Sequence, residues 1–193
     1  MGYSEICRIR CRCHHEARKP SDTEESREFL QLYQENMRRV SASRYLFLSE
    51  SCLENHFRYL GNRVALFTAR QGSELIGAAL FLVDESRVHY HLSASRHEHN
   101  GTFPIERILY EAIKYYGNEG LSELHLGGGL SLSADDPLYR FKLKFARPAD
   151  PRPFYISKLV IGEQAYQQAR GRLDIMESPL FLIGDALAAR RDA

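Results

Sequence analysis

Pro104-Ile105-Glu106-Arg107-Ile108-Leu109-Tyr110-Glu111-Ala112-Ile113-Lys114-Tyr115-Tyr116-Gly117, followed beyond Gly120 by Glu123-Leu124-His125-Leu126, decides the fold. Proline suits the first turn of a helix, and Ile105, Ile108, Leu109, Ala112, Ile113 and Tyr116 recur at the spacing of one helical face. Gly117 and Gly120 close that helix, and a short strand comes next. Upstream, residues 64–69, 75–83 and 88–92 read as three strands in an antiparallel meander, turning at Gln71-Gly72-Ser73 and Asp84-Glu85-Ser86. A strand, loop, helix and strand of this size then predict a parallel neighbour reached by a right-handed crossover.

Further out, Ser21-Asp22-Thr23-Glu24 has the form of a capping box, and Phe29, Leu30, Tyr33, Met37 and Val40 follow at helical spacing. A second helix is expected over residues 49–60, with Leu53, His56, Phe57 and Leu60 on one side and Gly61-Asn62 as its stop. Downstream, the patterns predict a helix opened by Asp135 or Asp136 with Pro137, a strand over 154–161 and a helix over 163–170. The apolar patch Leu180-Phe181-Leu182-Ile183 packs as a last helix or against a partner. The expected organisation is a flexible basic leader at 1–20, one α/β (α+β) domain at 21–171 and a tail at 172–193. The domain is built on a mixed, mostly antiparallel sheet flanked by helices.

The 193 residues, 44% hydrophobic and 26% charged, suffice for one globular domain with a substantial core. The balance of 26 basic against 25 acidic residues excludes the overall basic field of a dedicated nucleic-acid binder, so any anion site must be local. No run approaches the roughly 18 apolar residues of a membrane span, and the start lacks a signal-peptide stretch, so no membrane span and a cytoplasmic location are expected. Cys7, Cys11 and Cys13 lie beside His14 and His15, but their spacing matches no zinc pattern. Cys52 reads as a small buried hydrophobe.

Lys142 stands where a core residue should stand. Leu138, Phe141 and Phe145 form the inward stripe of the helix after Pro137, and Lys142 falls inside it. It must snorkel out, lose its charge or meet an anion in a cleft. Lys144 and Arg140 lie off that face as solvated charges, and Glu111 points away from the apolar stripe of its own helix toward an exposed ion pair. Gly127-Gly128-Gly129, which ends the preceding strand, lets bare backbone approach a ligand or simply makes a turn.

On the third strand, alternation puts Val88, Tyr90 and Leu92 on one face and His89, His91 and Ser93 on the other. The two histidines are open to metal binding, to structural hydrogen bonding, or to substrate contact and proton transfer. No carboxylate joins them at a convincing spacing, and His125 is on another strand. Tyr90 and His91, at the strand end feeding the loop at 94–102, are the better placed for a site.

Three segments in this order carry a resemblance. They are His89-Tyr90-His91-Leu92-Ser93, then Ile108-Leu109-Tyr110-Glu111-Ala112-Ile113, then Leu124-His125-Leu126-Gly127-Gly128-Gly129 with Asp136-Pro137-Leu138-Tyr139-Arg140-Phe141-Lys142-Leu143-Lys144-Phe145. Over roughly residues 26–170 the chain resembles the second, transferase half of the Fem-like branch of the GNAT acyltransferase superfamily. The glycine pair with its Phe-Lys-x-x-Phe helix is the most specific part. The resemblance implies a GNAT fold and an acyl- or aminoacyltransferase that moves an activated acyl group from an ester or thioester onto a small-molecule or peptide amine, such as a peptidoglycan precursor. Aminoacyl-tRNA or acetyl-CoA would be the donor, with no tightly bound cofactor and no metal. Lys142 matches the lysine that helps to hold the donor or the developing charge.

In that scheme His91 or Tyr90 positions the amine or relays its proton, Gly127, Gly128 and Gly129 offer backbone donors, and His89, Ser93 and His125 line the substrate site. Two departures stand out. The loop before Pro104 lacks the arginine- or glutamine-led glycine pattern with which CoA-dependent members wrap pyrophosphate, although Gly101 is present. Fem enzymes also carry a further GNAT-like half, which 193 residues cannot hold. The remaining readings are an acetyl-CoA-dependent N-acetyltransferase and a non-catalytic half-domain that forms a homodimer or binds a partner.

Overall fold

A computed structural model describes residues 9–14, 24–42, 44–129, 131, 133–146, 159 and 161–173. The chain divides into two compact units, residues 1–42 with 47–147 and residues 43–46 with 148–193. The first contains a five-stranded sheet in the order β1-β2-β3-β4-β5. Its strands are β1 (Ile9–His14), β2 (Val64–Gln71), β3 (Glu74–Val83), β4 (Arg87–Ser95) and β5 (Glu123–His125). Neighbours are antiparallel except β4 and β5, which run parallel as the crossover pattern requires.

The helices of this unit are α1 (Glu24–Arg39), α2 (Glu50–Leu60), α3 (Pro104–Asn118) and α4 (Pro137–Leu143). Their ends follow local chemistry. Glu24 and Glu25 open α1 and Arg38 and Arg39 close it, each sign suiting its end of the helix dipole. The Ser49 side chain caps α2 by accepting from the Cys52 amide at 3.1 Å, and Gly61, at φ 54°, ends it.

Residues Val64 to Ala69 and Leu75 to Phe81 are buried without interruption, the signature of strands covered on both faces. One face carries Phe67, Ala79, Phe81, Val88 and Tyr90 against Ile108, Leu109, Ala112 and Tyr116 of α3. The other carries Leu66, Ala78, Leu80 and Ala94 against Phe29, Leu32 and Tyr33 of α1 and Leu53 and Phe57 of α2. At Gly77 the sheet comes so close to the start of α3 that a Cβ there would lie 2.8 Å from the Pro104 Cβ.

Four expectations need correction. Residues 9–14, assigned to a flexible leader, form β1 and pair with β2 from Ile9↔Gln71 to His14↔Leu66. The sequence Ile-Arg-Cys-Arg-Cys-His does alternate apolar and polar, the period of a strand, and its basic content masked that signal. The third strand continues through Ala94 and Ser95, which pair with Ala78 and Gly77, before a 3₁₀ turn from His97 to Thr102. Cys52 is exposed on the first turn of α2, not buried. The faces of β4 are not those of strict alternation, because its register against β3 shifts between Leu80 and Phe81.

The second unit contains a short 3₁₀ turn, Arg44–Leu46, and α5 (Glu163–Leu173), which includes the helix expected at 163–170. The capping box at 21–23, most of the strand expected at 154–161 and the apolar patch at 180–183 lie outside the described residues. Among the described residues no helix is long and apolar enough to cross a membrane.

Candidate active site

β4 and β5 stay together for only three pairs, Arg87↔Glu123, Val88↔Leu124 and His89↔His125. Beyond His89, β4 continues to Ser95 with β3 as its partner in the sheet, while the other chain turns away into the glycine run. The parting lies at the carboxyl end of β5, beside the continuing β4, where the opened sheet leaves room for a ligand.

Lys142 reaches into this region from α4. Its helix is anchored by Asp136, which is buried and accepts three hydrogen bonds from described residues. These come from the Tyr139 amide at 2.8 Å as a helix cap, and from the Ser131 amide and hydroxyl at 2.9 and 3.0 Å. Phe141 and Phe145 pack on the α3 side of the core, as the stripe predicted. Lys142 itself is half-buried. Its Nζ donates to the Gly128 carbonyl at 2.7 Å and lies 5.9 Å from the centre of the Tyr90 ring. Burial lowers its pKa, against an opposing pull from the Asp136 carboxylate.

The triple glycine is explained by these neighbours. Gly127 has φ 71°, and a Cβ on it would stand 3.3 Å from Lys142 Nζ. Gly128 supplies the carbonyl. At Gly129 a Cβ would fall 2.6 Å from Asp136 Cγ. The run therefore receives Lys142 and Asp136 rather than merely turning the chain.

A β-bulge shapes the strand opposite. Leu80 pairs with Leu92 and Phe81 with Tyr90, so His91 is the extra residue. Past the bulge the faces exchange. Tyr90 and Ser93, predicted on opposite faces, are hydrogen-bonded to one another, and Leu92 packs with the α1–α2 core while Tyr90 packs with α3. Phe81 fixes the Tyr90 ring at a centroid distance of 5.7 Å. Burial pushes the Tyr90 phenol up to about 12, against the Ser93 hydrogen bond, so it stays protonated and either hydroxyl of the pair can donate to the other.

The histidines form a row. His56 of α2 meets His91, Nε2 to Nε2, at 3.2 Å; the rings of His91 and His89 are 5.9 Å apart; His89 meets His125, Nδ1 to Nδ1, at 2.8 Å with stacked rings. Burial, then the neighbouring His56 and His89, push His91 down to about 4. His89 is lowered by burial, by His125 and by Lys142. Among the described residues no group of three histidine, cysteine, aspartate or glutamate side chains could hold a metal ion.

Lys142 thus meets Tyr90 and the glycine run, and Tyr90 meets Ser93, while His91, His89 and His125 belong to the row that starts at His56 on α2. Sequence reasoning missed two contributors. His56 was visible as an imidazole in the apolar stripe of α2, and Asp136 as one of two helix-start candidates. Arg140 and Lys144 line a separate pocket of about 490 Å³ with Asp135, Pro137 and Phe141, and Lys144 reaches Glu106 at 3.7 Å. Glu111 pairs with Arg107 and Lys114, as its position predicted.

No curated protein matches the sequence. Among solved structures, an aminoglycoside acetyltransferase from an uncultured soil metagenomic sample, in complex with sisomicin, superposes with a TM-score of 0.58 at 12% identity over 80% of this chain and 97% of that one. FemX superposes with a TM-score of 0.56 at 14% identity, over 74% of this chain and 50% of that one. A probable acetyltransferase gives 0.56 at 11% identity, over 78% and 99%. At these identities the likeness is one of fold, and it agrees with the mixed sheet flanked by helices. The model of the acetyltransferase (GNAT) domain matches residues 8–142, from the strand β1 to Lys142 itself, and the chain belongs to that family.

Proposed function

We propose that the protein is an N-acyltransferase whose reaction takes place where β4 and β5 part. An activated acyl group moves from a thioester or ester donor to an amine, with Lys142 stabilising the charge that develops on the donor. The observation that carries this reading is the position of Lys142 Nζ, held by the Gly128 carbonyl over the Tyr90 ring. Such a transfer needs an unprotonated amine, a fixed carbonyl and a cation or N–H at the oxyanion. His91, neutral at physiological pH, is the group for the amine proton, and Tyr90 is a donor that keeps its proton. Gly127, Gly128 and Gly129 bound the donor side, and His89, Ser93 and His125 the acceptor side.

Acetyl-CoA is the donor that family membership supports. The Fem-like sequence of α4, Phe-Lys-x-x-Phe, supports charged tRNA as the other, with a peptide amine as acceptor. Calorimetric titration with acetyl-CoA, with Lys142→Ala alongside, separates them. Saturable binding weakened by the substitution supports the CoA reading. No binding moves the test to alanyl-tRNA. Absence of both overturns the enzyme reading and leaves a non-catalytic domain, for which native mass spectrometry would show a homodimer.

A further inference from the structure

The histidine row contains an order that acyl transfer alone does not demand. His56 Nδ1 lies 2.7 Å from the carbonyl oxygen of Cys52, one turn earlier on α2. A carbonyl only accepts, so Nδ1 bears the proton. An imidazole with its single proton on Nδ1 carries its lone pair on Nε2, and this atom faces His91 Nε2 at 3.2 Å. The lone pair requires a proton opposite, so His91 is protonated on Nε2 and presents its own lone pair at Nδ1. One backbone carbonyl thereby fixes the tautomers of two rings on different elements.

We propose that His56 is the positioning residue and onward proton acceptor for His91, holding it as the Nε2–H tautomer so that Nδ1 serves as the base for the incoming amine. This rests on the acyl-transfer reading above. The amine nitrogen forms a bond to the acyl carbon, and the C–S or C–O bond of the donor breaks. The amine proton goes to His91 Nδ1 as the Nε2 proton of His91 passes to His56 Nε2; when the leaving thiolate or alkoxide takes the proton from His91 Nδ1, the Nε2 proton comes back from His56 and both starting tautomers are restored. The sum is acyl donor plus amine giving amide plus thiol or alcohol.

The handover answers a difficulty in the site. Burial and the rings of His56 and His89 together push the half-buried His91 down to about 4, so it holds a second proton poorly. Passing the Nε2 proton to α2 moves that charge away from His89, which already faces His125 and Lys142. The groups facing the pair are His89 on β4 and, on α2, the Cys52 thiol, whose Sγ is 4.0 Å from His56 Nδ1. The arrangement has the logic of a nucleophile-activating base oriented by a third group, with a carbonyl in the third place.

The test has two arms on the full chain. Long-range ¹H–¹⁵N spectra of histidine-labelled protein read the tautomers directly: Nδ1–H for His56 and Nε2–H for His91 are expected, and Nδ1–H at His91 overturns the inference. Acetyl-CoA and alanyl-tRNA are then each offered as donor, with glycinamide as acceptor. His56→Phe should lower kcat by about 100-fold with KM unchanged and displace the acidic limb of the pH profile. His56→Gln keeps an acceptor for the His91 Nε2–H and should preserve the His91 tautomer while losing the onward transfer, giving a rate between the two. Wild-type rates and limbs in both variants overturn the role of His56 alone. A wild type that moves neither acyl group overturns the acyl-transfer reading itself, and the catalytic role with it.

Discussion

Lys142 donates from Nζ to the carbonyl oxygen of Gly128 at 2.7 Å, tying α4 to the glycine run that ends β5. A backbone carbonyl is a neutral partner. It orients the ammonium without cancelling its charge, and the other N–H bonds stay available for an anionic oxygen.

Lys142→Ala should therefore cost little stability and much function. Loss of one stabilising donor at a developing oxyanion lowers turnover by about 100-fold to 1,000-fold. Circular dichroism and urea unfolding should remain close to wild type, while kcat falls. Unchanged kcat would remove the central residue of the proposed reaction.

Gly127→Ala tests the same contact from the other side. The backbone is at φ 71°, and the added methyl would stand 3.3 Å from Lys142 Nζ. A residue with a Cβ in that conformation costs about 1 kcal/mol, and Lys142 has to shift. Both stability and kcat should drop, whereas Gly128→Ala, with open space at its Cβ, should be milder in both.

Gly77→Ala should destabilise the fold by about 1–3 kcal/mol, because its Cβ would press on the rigid ring of Pro104 and force β3 and α3 apart. A lowered urea midpoint with an unchanged slope would show this. A midpoint equal to wild type would mean that the start of α3 moves freely.

Asp136→Ala removes the cap of α4 and two bonds to Ser131, at a cost of about 1–2 kcal/mol. Asp136→Asn retains an oxygen for the Tyr139 amide and should lose less. Because α4 positions Lys142, the alanine variant should also bind donor more weakly, as calorimetry would register.

Stability should fall as the pH drops from about 6.5 toward about 4. His91 and His89 have folded-state pKa values below the ordinary 6.5, so in this window the unfolded chain binds protons that the folded chain refuses. Acid therefore favours unfolding. Urea midpoints measured across this range should decline, and His91→Gln should flatten the decline.

The crossover unit was legible because both of its signals are local: a helical stripe that repeats through Tyr116, and a strand ended by glycines. Lys142 was legible for a related reason, as a charge in an apolar stripe. The faces of β4 were not. Alternation is read by counting, and the register shift between Leu80 and Phe81 is a property of the pair of strands, invisible in either alone. His56 shared that fate, since its partner is 35 residues away on another element. β1 could have been read from its period of two, had the arginines not suggested a solvated segment.

That first strand also limits how the chain can be shortened. A truncation beginning at Glu24 would discard the partner of residues Leu66 to Gln71 and leave β2 as an open edge. Residues Leu66 to Ala69 of that edge are buried and mostly apolar, without the lysines, prolines or brevity by which sheet edges resist pairing with other chains. Such a fragment would retain every candidate catalytic residue and still be prone to aggregate.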